Sequence, residues 1–553
     1  MTVDLVAERT VVRRMRIRRS TTDPMLARLR AATLLSSAAL TPPGVSPAAI
    51  LILRRLQDPM PGRLGLRGGG IRLPDEWERA VRSQVDVFAR RAVRPAREGT
   101  ADAADAVLFA DHAELLACLA RDWLRGALQR WWWRALLPDR DAVIAVARAW
   151  LERPECIPAA MIHLAESGDG APFVARLGRR VVRDLLEAVL AAHALPELRA
   201  ALAPIFAAES PTDVTAADRT PAHGEPLHEG DRGVPPPWRS GALHATAAFS
   251  DTISDAFIGV CGALHQEPHR VRSRDFAVQT GRWAALQSSV SAGRATQRRS
   301  TPEEKRAAGA ESRDAISDPR DEEAPTARQS EPLSPAPERP IEQEMMTDAP
   351  ERVRRPDTQP AQDAHAQAIE TERIADRHEQ MVRQALDELR IETRFGGVFF
   401  LVNLALLIGL YGDFTRPARR GLSLPIWDFV ALVSERLAGA GLREDPVWRL
   451  LAHLANRNEA QEPGYALSPR RQAALRRWLA RLSPRLRERL VEALGPDTTV
   501  VLLERRAHVW VTPTRLDATF ALAELPVEVR CSGLDRDPGW VPAAGRSLYF
   551  HFD

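Results

Sequence analysis

Between residues 208 and 360 the chain carries a stretch that no apolar core can organise. Runs such as SDPRDEEAPTARQSEPLSPAPERPIEQE combine proline with alternating charge and few large apolar side chains. Such a composition cannot bury enough surface to offset the entropy lost on ordering. The stretch divides the chain into a block at 1–207, a disordered linker at 208–360 and a block at 361–553. Within the linker, Gly241–Val290 is richer in large apolar residues, with Phe249, Phe257, Phe276 and Trp283. It is left unassigned, as a segment able to fold on a partner or to form a short helix. A length of 553 residues fits three or four units at roughly 150 residues each.

The flanking blocks read as mostly helical. In the N-terminal block, Val11–Arg18 and Ala49–Leu56 have the pattern of strands, with a helical stretch at Pro24–Leu35 between them. The clearest helix is His112–Leu137, where Leu116, Leu119, Trp123, Leu128 and Trp131 recur at spacings of three to five. Further helices fit Asp141–Leu151, Pro158–Glu166, Val181–His193 and Leu198–Phe206, punctuated by Pro138, Pro154, Pro172 and Pro196. In the C-terminal block an amphipathic helix over Gln362–Ile391 leads into helices at Gly397–Leu410, Ile426–Ala438, Pro446–Asn456, Pro469–Leu482 and Pro484–Leu494. Val500–Val511, Asp517–Leu522, Val527–Cys531 and Leu548–Phe552 read as short strands of a small antiparallel sheet. The expected fold class is mainly α with small β elements.

Charge and cysteine usage exclude several functions. Lys305 is the only lysine among 76 basic residues, and the net charge is +3, too small for a global field that captures nucleic acid. Residues 1–207 carry 31 basic and 23 acidic side chains, whereas 208–360 carry 19 and 25. Cys118, Cys156, Cys261 and Cys531 lie far apart, which argues against both a disulfide framework and a structural zinc site. No apolar leader opens the chain, so the cytoplasm is the expected address. The run GGVFFLVNLALLIGLY, Gly396–Tyr411, contains Asn403 and is followed by Asp413. It is shorter than the about 20 residues of a membrane span and reads as a buried core helix.

No pattern for chemistry stands out. Gly68–Gly70 lacks a phosphate-loop lysine, and no nucleophile elbow is present. His265 and His269 are separated by Pro268, and His112, His163 and His193 sit singly. The reading is therefore of a protein that is not an enzyme, with no cofactor and no metal. Two local features remain. Trp131, Trp132 and Trp133, flanked by Arg130 and Arg134, point about 100° apart on a helix, so one core face cannot take all three. They suit packing between helices, a partner interface or base stacking. The loop Gly533–Pro542 sets Asp535 and Asp537 around Arg536, followed by Gly539 and Trp540. It reads as a structural turn, with Asp535 or Asp537 pairing to Arg536 or Arg546.

Three stretches, LARDWLRGALQRWWWRALL (Leu119–Leu137), GGVFFLVNLALLIGLYGDF and the ending GLDRDPGWVPAAGRSLYFHFD, resemble uncharacterised proteins encoded with extracellular contractile injection systems. Those phage-tail-like particles drive an inner tube through a contracting sheath, and the resemblance is distantly tape-measure-like. It implies a structural or assembly role, with tube, sheath or baseplate proteins as partners and incorporation into the particle. The interrupted chain fits an accessory or assembly protein better than a literal ruler. The two blocks would then bind different subunits across a linker spanning roughly 60–70 Å. The alternative is nucleic-acid binding by the basic N-terminal block, although nucleic acid is not the expected partner.

Overall fold

The computed structural model describes residues 44–61, 74–97, 103–137, 141–207, 235–238, 251–289, 389–494 and 502–553, except Phe414, Glu459 and Leu525, with a few isolated positions before 44. The molecule is mostly helical with small sheets, and residues 290–388 separate its folded blocks along the chain. The expectations for Val11–Arg18, most of Pro24–Leu35 and the helix over 362–388 lie outside the described residues.

The first continuously described segment of the N-terminal half holds strand β1 (Ile50–Leu53), which pairs antiparallel with β2 (Ala106–Phe109) across helix α1 (Asp75–Arg91). Helix α1 buries Trp77, Val81 and Val85 in a small satellite cluster. Helices α2 (His112–Leu124) and α3 (Trp131–Leu136) follow, then α4 (Ala142–Leu151), α5 (Ile157–Glu166), α6 (Gly170–Leu177), α7 (Arg179–Ala192) and α8 (Pro196–Ala207). Aspartates set several helix starts: Asp111 accepts from the Glu114 amide, and Asp141 from those of Val143 and Ile144. The single helix expected over His112–Leu137 is two. Gly126 adopts a φ of 69° and ends α2, a left-handed conformation that glycine takes at no steric cost.

The half does not end at 207. Helices α9 (Thr252–Gln266), α10 (Pro268–Val271) and α11 (residues 274–289) share one apolar core with α2–α8. Phe257, Phe276 and Trp283 are buried there, which supplies the apolar surface that 241–290 has and its surroundings lack. Trp238 also enters this core, seated on Gly259, where any side chain would collide with the indole.

The C-terminal half has its own, separate core. Strand β3 (Leu389–Thr393) opens it, so Leu389–Ile391 is extended where a helix was expected. The apolar run then forms a 3-10 turn, Gly396–Phe399, and helix α12 (Phe400–Leu407), with Val398 to Val402 fully buried. Gly397 lies so close to the Leu502 carbonyl that a Cβ would overlap it. Among the described residues no helix is long and apolar enough to cross a membrane. Helices α13 (Ile426–Ala438), α14 (Pro446–Leu454) and α15 (Pro469–Leu494) follow. α15 runs through Pro484 where two helices were expected. Within α13, Asp428 forms a fully buried ion pair with Arg457 at 2.9 Å, and it also accepts from the Gly464 amide at 2.8 Å.

A five-stranded sheet closes this half in the order β3, β4 (Ala507–Val511), β5 (Arg515–Phe520), β7 (Arg546–Phe552), β6 (Gly539–Val541). All neighbours are antiparallel except β5 and β7, so the sheet is mixed. The chain reaches the parallel β7 through α16 (Val527–Ser532), a segment expected as a strand. Its valines alternate as in a strand, but Pro526 and the left-handed Gly533 bracket one helical turn that buries Val529 and leaves Val527 outside. Leu516, Ala518, Phe520, Leu548 and Phe550 face the core, while Asp517, Tyr549 and His551 face away.

Candidate functional site

The tryptophan run is organised by one carboxylate. Asp122, buried on α2, accepts from Arg130 Nη1 at 2.6 Å and from Trp133 Nε1 at 2.7 Å. This draws α3 across the break at Gly126 and turns Trp132 and Trp133 into the core, where Trp133 lies 5.8 Å from Phe109. Trp131 meets Trp132 edge-on at 5.6 Å and donates to the Ala104 carbonyl, leaving its indole half-buried. Arg130 stacks on Trp132, and Arg134 is exposed. Two of the three indoles are therefore core, and Trp131 with Arg134 forms the part of the run at the surface.

The loop Gly533–Pro542 is held by hydrogen bonds and a longer ion pair. Asp537 accepts from the Phe550 amide at 2.6 Å, and Asp535 lies 3.8 Å from Arg530. Arg546 reaches the Thr512 carbonyl, and Arg536 is exposed. The Leu534 and Arg536 carbonyls accept from Asn403 at 2.8 and 2.6 Å, which accounts for the amide inside the apolar run. Gly539 takes a φ of 66° and turns Trp540 outward from the C-terminal half. No group of three His, Cys, Asp or Glu residues among those described is placed to hold a metal ion.

Trp540 leads to a seam that residue spacing could not reveal. Its indole donates to the Ala192 carbonyl at the end of α7, 2.9 Å away, and its ring stands edge-on to His193 at 5.0 Å. At the other end of the seam the β4–β5 hairpin tip, Thr512–Arg515, is buried against the start of α2. Thr514 Oγ1 donates to Asp111 at 2.7 Å and also meets the Cys156 thiol. Near the Trp540 end, Arg272 donates to the His193 carbonyl at 2.7 Å and to the Pro417 carbonyl, and Arg420 pairs with Glu197. The described residues of 1–291 and 384–553 consequently belong to one compact unit. The seam is polar, and the two apolar cores stay distinct on either side of it.

Burial sets the protonation of the seam. His193 is buried, both ring nitrogens lack a partner among the described residues, and burial with the nearby Arg272 charge lowers its pKa to about 3. His112 is lowered to about 4 by burial, Arg153 and Arg515, against the pull of Asp111. Burial pushes the Cys156 thiol well above its usual range, so it is not a nucleophile at neutral pH.

The outer sheet face carries a second cluster. Asp517 is buried between Arg515 at 2.5 Å and His551 Nε2 at 2.7 Å, and the Arg515 guanidinium stacks on Tyr549 at 4.2 Å. Arg390 stacks likewise on Trp510 at 5.0 Å. Tyr549 and Trp510 on this face each carry an arginine of their own, so this part of the face is built as a network. Sequence spacing misses this cluster because its members come from four strands.

Apolar surface is exposed elsewhere. On α4, Val143, Ile144 and Leu151 point outward beside Val181 of α7, with Ile144 57% exposed. Compared with family models, with curated proteins and with solved structures, the chain gives no match.

Proposed function

We propose that this protein is a non-enzymatic structural or assembly component of a contractile, phage-tail-like injection system. The observation that carries a protein-binding role is the outward apolar strip of Val143, Ile144 and Leu151 on α4. Contiguous exposed apolar surface marks contact with another protein. The choice of apparatus rests on the resemblance of Leu119–Leu137, Gly396–Phe414 and Gly533–Asp553. In this fold those stretches supply the wall of one core, the centre of the other, and the strands with Trp540 at the seam. They are parts of a scaffold.

A bridge between two separate blocks does not fit the seam, because the two halves bind each other. The partner surface instead belongs to one body, with the α4 strip and Trp131 as its candidate contacts and with tube, sheath or baseplate proteins as the partners. The nucleic-acid alternative has less support. Arg82, Arg90, Arg94, Arg130, Arg183 and Arg199 of the basic block are each paired with a carboxylate, which leaves less charge for phosphate. Pull-down of the tagged chain from its native host is the test. Tube, sheath or baseplate subunits should co-purify, and Ile144→Asp should abolish this without unfolding the protein. Recovery of salt-sensitive nucleic acid with no particle protein would refute the proposal.

A further inference from the structure

The seam has the composition of a contact that opens. It joins two halves with separate cores through hydrogen bonds to backbone carbonyls and to the Asp111 carboxylate, with an exposed ion pair beside them. Interfaces of this polar kind between domains permit relative motion. Its most unusual member is His193, a buried imidazole whose two nitrogens have no partner among the described residues. Such a group is stable only while uncharged, since a buried cation needs a carboxylate or several acceptors.

The surroundings of His193 supply neither. From β6, Trp540 presents an edge of its ring. Arg272, following α10, brings a positive charge. Glu197, at the start of α8, is taken by Arg420, and the Arg419 guanidinium turns toward Gly409. Two other histidines lie at the seam. His112 adjoins Asp111 at the hairpin end, and His269 sits on the α9–α10 corner whose Pro268 meets Gly545.

We propose that the seam opens as a unit when His193 takes up a proton, making the association of the two halves acid-sensitive. In the open form the ring is hydrated and titrates near its ordinary 6.5, whereas the closed form excludes the proton. Opening therefore becomes more favourable by roughly tenfold per pH unit below that value. Cys118, Cys156 and Cys261 all belong to the N-terminal core, and Cys156 reports opening because its thiol meets Thr514 across the seam.

The test is labelling of the full-length Cys531→Ser protein with 4,4′-dithiodipyridine, a disulfide that reacts with thiols in acid, read by peptide mass spectrometry. Between pH 7 and 5 the Cys156 rate, divided at each pH by that of a free thiol such as glutathione, should rise by roughly 25-fold while Cys118 and Cys261 stay protected. His193→Leu and His193→Gln, each checked for native circular dichroism, should flatten that rise, whereas His112→Gln and His269→Gln should retain it. A rise that persists in both His193 variants overturns the proposal. So does loss of the rise in His112→Gln or His269→Gln, or parallel labelling of all three buried thiols.

Discussion

One carboxylate oxygen of Asp111 accepts from the Glu114 amide at the start of α2, and the other accepts from the hydroxyl of Thr514, 403 residues away in sequence. A single side chain thus caps a helix in one half and anchors a hairpin from the other. Thr514→Val should remove the hydroxyl's bond across the seam and its contact with Cys156 while the Thr514 amide still reaches Asp111 at 3.3 Å, costing about 1.5–3 kcal/mol for a hydrogen bond to a charged group. Asp111→Ala also loses the cap and should cost about 1 kcal/mol more. Urea unfolding of both variants checks this, and equal losses would show that the cap contributes nothing.

The same seam predicts association without covalent linkage. A specific protease site placed within 292–383 and cut in the folded protein should leave two fragments that co-elute on gel filtration. Trp540→Ala combined with Thr514→Val should let them separate. Separation of the unmutated fragments would contradict the single unit.

Asp428 and Arg457 form a buried pair whose arginine side chain is 0% exposed. Arg457→Met strands the carboxylate and should destabilise by about 3–5 kcal/mol. Adding Asp428→Leu removes the stranded charge, so the double variant should be more stable than Arg457→Met alone. Chemical denaturation of the two variants measures the difference.

Depth should rank the tryptophans. Trp133→Ala opens a cavity, frees Asp122 of one donor and should cost about 3–5 kcal/mol. Trp131→Ala should cost less and keep the fold, yet weaken co-purification with particle proteins. Thermal melts and pull-down separate the two effects, and loss of folding in Trp131→Ala would remove it as a surface contact.

The apolar run gives a similar ranking. Leu401 is fully buried, so Leu401→Asp should cost several kcal/mol by burying an unpaired charge. Leu406 is only partly buried, and Leu406→Asp should cost less. Denaturant midpoints of the two variants decide it.

Local pattern determined much of this protein. Helix periodicity located α4, α5, α7, α13 and α14 to within a few residues, because each buries one apolar stripe whose spacing is written in the chain. The apolar run was legible as core because it is too short and too interrupted to span a membrane. Composition also marked the chain separating the folded blocks, but not its edges. The helices over 252–289 depend on a core built by α2–α8, and α16 depends on brackets that override its strand-like valines. The tryptophan run was visible as unusual, yet its inward turn was decided by Asp122 and Gly126 together. The seam was not legible at all. Asp111, Thr514, Ala192 and Trp540 carry no mutual signal in sequence, since hydrogen bonds between loops hundreds of residues apart impose no periodicity. Only the packing of one half on the other makes them a site.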